Sequence, residues 1–300
     1  MYRDIDSIID RRRLKRRLNF WRIATVLALF VALGIGLNST QPVNFGDYIG
    51  RMKINGIITA DQETLQALAE VANAENAKAL ILSIDSPGGT VVGGEVLFKS
   101  LREVSAKKPV VAVMENTATS AAYMAALGAD HIIAHAGTVT GSIGVLLQSA
   151  DVTGLMENIG IKPEIIKSSP LKAQPNPMET LTSDAREMTQ EVVRDLHSMF
   201  VDIVKARRGM DDIKARSLAD GRIFSGRQAL AVGLIDAVGH EKDALNWLEK
   251  NHAIKEGTEI RPILDSREGE IWREILSLAF GTTLFSDRLK LDGVISLWHP

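Results

Sequence analysis

Ser120 is the residue whose setting first suggests chemistry. It follows an apolar run at 110–114 and the polar residues Glu115, Asn116 and Thr117, and it opens the small-residue run Ala121-Ala122-Tyr123-Met124-Ala125-Ala126. That pattern predicts a buried strand, a turn, and a helix whose first turn begins at Ser120. Backbone N–H groups at a helix start have no partner within the helix, so they can hold a carbonyl oxygen on which charge develops. A serine nucleophile also needs a base. Of the six histidines, His131 and His135 follow Ser120 most closely, with Asp85 or Asp130 as the third member of a triad. They bracket a predicted strand, and no Glu stands between them in the HExxH arrangement that would favour zinc. The other base is a lysine, which must lose its proton at physiological pH, a lowering of ~3 pH units from its ordinary value. Lys172 lies among Pro170, Leu171, Ala173 and Pro175, an apolar setting of the kind that favours the neutral amine. Local sequence alone leaves plainer readings open, Ser120 as a helix cap and Lys172 as an exposed loop lysine.

The elements that must position these residues alternate. A strand is predicted at 48–58 with a turn at Asn55-Gly56, then a helix at 64–73. The continuous apolar run 79–84 reads as a strand buried on both faces and ends in Asp85-Ser86-Pro87-Gly88-Gly89. A helix at 91–104, the strand at 110–114 and the Ser120 helix follow, then short strands at 131–134 and 162–167, with Gly141-Ser142-Ile143-Gly144 at a turn between them. Residues 168–178 hold three prolines and are expected to loop. A long amphipathic helix capped by Ser183 spans 183–207, and a last helix of the body covers 242–250. Strand–helix alternation predicts an α/β domain with a mainly parallel sheet, whose function gathers at the carboxyl ends of its strands, where Gly88-Gly89 and Ser120 both fall.

The 300 residues are 45% hydrophobic and 24% charged with a net charge of -2, ordinary for a globular chain and giving no argument for nucleic acid. The absence of cysteine excludes disulfides, thiolate metal sites and a cysteine nucleophile. Five organisational segments are expected: a basic cytoplasmic segment (1–17), a transmembrane anchor (18–37), a linker (38–47), a globular body (48–253) and a tail (254–300). The charge-free run 23–37 falls short of the ~20 residues of a bilayer span and is extended by Leu18 to Trp21 if Arg22 snorkels to the interface. The basic cluster at 11–17 holds the N-terminus in the cytoplasm and sends the rest outward. A cleaved signal peptide has similar regions, but no small-x-small site follows Leu37, which favours a retained anchor. In the tail an amphipathic helix is predicted at 270–280, and Trp272, Phe280, Leu284 and Phe285 would either pack on protein or touch the outer membrane face.

Five segments together carry a resemblance: DSPGG at 85–89, TATSAAYMAALGAD around Ser120, TVTGSIGV at 138–145, KSSPLK ending at Lys172, and DGRIFSGRQALAVGLIDAVG at 220–239. In this order and spacing the chain resembles, over roughly 48–248, the short-form bacterial signal peptide peptidases of the protease IV type. The resemblance implies a Clp-protease or crotonase-like fold of stacked ββα units and peptide cleavage by a Ser/Lys dyad. Carried over, Ser120 is the nucleophile, Lys172 the general base, Ser142 the hydroxyl that orients the lysine, and the N–H groups of Gly88 and Ala121 the oxyanion hole. No metal or cofactor is implied. The implied substrates are apolar signal-peptide remnants in the inner membrane, met by an extracytoplasmic catalytic domain in a homo-oligomeric ring. Many members carry Ser-Gly-Gly-Tyr where this chain has Ser120-Ala121-Ala122-Tyr123. Two other classes fit the same fold, an acyl-CoA-handling protein and a non-catalytic membrane scaffold.

Overall fold

The computed structural model describes residue 15 and residues 17–29, 46–264 and 295–297. It divides into two units, Met1–Gly46 and Asp47–Pro300. In the first, residues 17–29 are helical, with the Thr25 hydroxyl donating to the Trp21 carbonyl at 2.8 Å. Among the described residues no helix is long and apolar enough to cross a membrane, and 30–37 of the expected anchor lie outside them.

The second unit is built on one mixed sheet. Its central strands are β1 (Tyr48–Ile58), β2 (Ala77–Thr90) and β3 (Val110–Thr119), all parallel, with β8 (Glu259–Ile263) parallel on the outer edge of β1. The far edge of β3 is shared: β4 (His131–Ala134) pairs with its first half and β5 (Val139–Gly141) with its second. β6 (Ile223–Ser225) closes antiparallel on β5, and β7 (Ala237–Val238) lies beside β4. The run Leu80, Ile81, Leu82 and Ile84 in β2 is buried on both faces because helices cover both.

On the larger side lie α1 (Gln62–Asn73), α2 (Val91–Ser105), α3 (Ala121–Ala126) and α5 (Ser183–Arg208), with Leu68, Leu101, Met124, Phe200 and Val204 in the main core. On the other, α8 (Glu241–His252) packs Ala244 and Leu248 on Ile81, Val113 and Ile133. The remaining helices are α4 (Thr153–Asn158), α6 (Asp212–Leu218) and α7 (Gly226–Val232).

Three expectations are corrected. The turn at Asn55-Gly56 is a bulge inside continuous β1, where the register with β2 shifts and Gly56 takes a φ of 69°. Residues 162–167 form no strand: Pro163 has no N–H to donate, and most of the segment is exposed rather than buried against a neighbour. The cap of α5 is Thr182, whose hydroxyl accepts from Ala185 N at 3.2 Å, rather than Ser183. The helix expected at 270–280, with Trp272, Phe280, Leu284 and Phe285, lies outside the described residues.

Candidate active site

One irregularity turns the sheet toward Ser120. Between Ile84 and Ser86 the β2–β3 register slips, so that Ile84 faces Met114 while Ser86 faces Ala118. The expelled residues are held by Asp85, which accepts from Thr117 N at 3.1 Å and Asn116 Nδ2 at 2.7 Å. The ends of the two strands are then tied together by the Thr119 hydroxyl, which donates to Pro87 O at 2.9 Å. The Thr140 hydroxyl donates to Ala118 O at 2.6 Å and fixes β5 alongside.

Ser120 stands at the corner between β3 and α3. Its backbone has φ 58° and ψ −121°, a region that non-glycine residues avoid. It is 1% exposed, its N–H donates to Gly141 O at 2.9 Å, and its carbonyl accepts from Met124 N at 2.9 Å. The hydroxyl makes no capping bond to the helix, so the helix-cap reading fails. A sharp strand-to-helix corner with a strained serine at its apex is the geometry of a nucleophile elbow. The corner fits because α2 comes close: a Cβ on Gly94 would lie 2.9 Å from Ala121 Cβ. Gly94 thus leaves the space that the Ala121 methyl group fills.

Beside the corner, Gly88 has φ 114° and its N–H donates to Ser86 Oγ at 3.1 Å, while Ser86 Oγ donates to Gly56 O at 2.6 Å. The Gly88 donor therefore reaches a substrate oxygen only by exchanging its bond to Ser86. Ser142 also has a positive φ, 49°, and is buried with its N–H donating to Arg222 O at 2.8 Å. Lys172 is exposed, in the loop after α4, and its backbone N–H donates to Ser169 O at 3.2 Å.

The histidine alternative dissolves. His135 Nε2 lies 2.9 Å from Glu115 Oε2, not from Asp85 or Asp130, and its ring sits 4.6 Å from that of His240. His131 stacks on Trp247 at 4.7 Å between ring centres. Asp130 accepts from Arg102, Ser105 and the Val110 N–H. Among the described residues no cluster of acids and histidines could hold a metal ion.

Sequence reading missed two features. The strand β9 (Ile295–Leu297) pairs antiparallel with the glycine turn, Leu297 opposite Gly88 and Ile295 opposite Thr90, so that it runs toward the Ser120 end of that edge. Its apolar character was the available signal. The second is the ion pair of Lys167 with Glu179, inside the loop that carries Lys172.

Strand-end glycines beside a strained, buried serine on a mixed α/β sheet define a hydrolase-type site, and similarity to known proteins agrees. The model of peptidase family S49 matches residues 102–255. A putative protease of Synechocystis sp. is 38% identical over 201 residues, 66% of this chain and 72% of that protein. A putative signal peptide peptidase SppA of Enterococcus faecium is 30% identical, the match spanning 71% of this chain and 66% of its own length. Among solved structures, a 1510-N membrane-bound stomatin-specific protease aligns over 74% of this chain and 100% of its own, at 19% identity and a TM-score of 0.49. The chain belongs to peptidase family S49 and is a serine peptidase.

Proposed function

We propose that the protein is a membrane-anchored endopeptidase that uses Ser120 and Lys172 as a dyad to degrade remnant signal peptides on the extracytoplasmic side of the inner membrane. The observation that carries this reading is the elbow at Ser120, a buried serine at φ 58° at the corner between β3 and α3. The name of the Enterococcus relative, a putative signal peptide peptidase, supports the substrate class. The stacked ββα architecture of Clp-type enzymes is part of the same reading.

In the proposed reaction, neutral Lys172 takes the proton from Ser120 Oγ as that oxygen bonds to the substrate carbonyl carbon. The carbonyl oxygen gains the charge and is held by the N–H groups of Ala121 and of Gly88, the latter swung from Ser86 Oγ. The C–N bond breaks as the leaving amine takes the proton back from Lys172. Lys172 then draws a proton from water as the water oxygen bonds to the acyl carbon, and it returns that proton to Ser120 Oγ as the ester C–O bond breaks and the acid product leaves. Ser142 orients the lysine.

An extended peptide has an edge on which to lie: the Gly88–Thr90 stretch that takes β9 in antiparallel pairing, its carboxyl direction toward Ser120. In a single chain Lys172 is exposed and Ser120 is buried, so the reading includes a second copy that covers the loop and brings amine and hydroxyl together. The apolar residues around that loop, Ile166 at 93% exposed foremost, suit such an interface.

The test is cleavage of an apolar peptide by the purified full chain and three variants. Ser120→Ala and Lys172→Ala lose activity, by about a thousandfold or more for groups acting as a unit, and His135→Ala keeps it. Loss in His135→Ala with retention in Lys172→Ala refutes the dyad.

A further inference from the structure

The loop that carries Lys172 is closed on itself by groups that the dyad chemistry does not use. Glu179 Oε2 accepts from Lys167 Nζ, from Gln174 Nε2 at 2.7 Å and from Asn176 Nδ2 at 3.2 Å. The Glu179 N–H donates to Asn176 O at 3.2 Å, and Met178 N–H to Asn176 Oδ1 at 3.0 Å. Lys167 Nζ also lies 3.5 Å from Pro170 O. In a stretch whose residues are mostly exposed, the side chains of Lys167 and Glu179 keep only 13% and 25% of their surface open. Lys172 lies between these two in the chain, next to Ala173 in the left-handed region at φ 59°.

One carboxylate oxygen with three donors, one of them charged, is fully engaged. A lysine that works as a base has the opposite requirement: an acid at its side holds its proton in place. Glu179 is the acid closed into the same ring as Lys172, and Glu164, the other acid of this stretch, is exposed. We propose that Lys167 and Glu179 are positioning residues for the base. Lys167 engages the carboxylate that Lys172 would otherwise take as its partner, and the three bonds to Glu179 fix the loop that presents Lys172. This rests on the reading of Ser120 and Lys172 as the dyad.

The experiment is the pH profile of kcat/KM for an apolar peptide, measured on the full chain. Lys167→Met releases Glu179 to Lys172, so the acid limb moves to higher pH by about one unit and activity at neutral pH falls about tenfold, recovering at alkaline pH. Lys167→Arg, which keeps the cation, restores the original profile. The double variant Lys167→Met/Glu179→Gln also returns the limb to its original position, because the competing charge is gone. A loss in Lys167→Met that is equal at every pH, or one that the second substitution deepens instead of rescuing, overturns the proposal and leaves a purely structural clasp. A Lys167→Met profile that coincides with the wild-type profile overturns it too. Failure of the dyad itself is seen separately, as retained activity in Lys172→Ala.

Discussion

Ser120 is held where an L-residue resists being held. The strain at φ 58° costs about 1–3 kcal/mol and persists because the Gly141 carbonyl, the Thr119 bond to Pro87 and the α2–α3 contact at Gly94 all fix the corner. Ser120→Gly relieves that strain, so the variant is expected to melt higher, by about 1 kcal/mol of added stability, while peptide cleavage is lost. Sequence reading found the residue and its place at the strand end. It could not find the strain, which depends on contacts with α2 and β5 from elsewhere in the chain.

A second residue-scale prediction concerns His131. Burial holds its imidazole below the usual range, with Arg208 adding to that effect and Asp236 opposing it. For Asp236, burial acts to raise the carboxyl, but its bonds to Arg208 and the Ile132 N–H prevail and hold it low. Both folded values lie below their unfolded ones, so the unfolded chain binds more protons as pH falls. Stability from His131 is fully present above about pH 6.5 and is lost as pH drops through its folded value; that from Asp236 goes the same way below about pH 3.9. The melting temperature should fall between about pH 7 and pH 5, and His131→Phe, which keeps the stack on Trp247, should flatten that slope.

Among elements, the ones legible in the sequence are those whose own pattern decides their fate. The apolar run of β2, the β3–α3 corner and the long α5 helix are examples. The segment 162–167 misled because its Ile165-Ile166 pair looks like a strand core, whereas Pro163 and the lack of a covering neighbour keep it out of the sheet. β9 has no signal in the sequence beyond the short apolar run at 294–298, since pairing with a glycine turn far earlier in the chain leaves no local mark. On the proposed reading an extended substrate uses the edge that β9 occupies, so Ser296→Pro, which removes an N–H from that strand, should raise kcat/KM for a short peptide. An unchanged rate would mean that peptide and tail use different edges.

For the molecule as a whole, one chain presents the candidate nucleophile buried and the candidate base exposed. In the stretch of chain before the candidate base, Leu155, Ile159, Ile161 and Ile166 are exposed apolar residues that a single globular body gains nothing by showing. Ile166→Asp is expected to reduce both the assembly mass in light scattering and the rate of peptide cleavage. Assembly lost with activity intact would argue that each chain completes its own site. The basic N-terminus and the apolar run after it are plain in the sequence because composition alone marks them.

The most direct test of the account is labelling of the intact protein by a fluorophosphonate, followed by mass mapping of the modified peptide. The account predicts one adduct, on Ser120, forming faster as pH rises and lost in Lys172→Ala. An adduct on another serine, or labelling of Lys172→Ala at the wild-type rate, would contradict it.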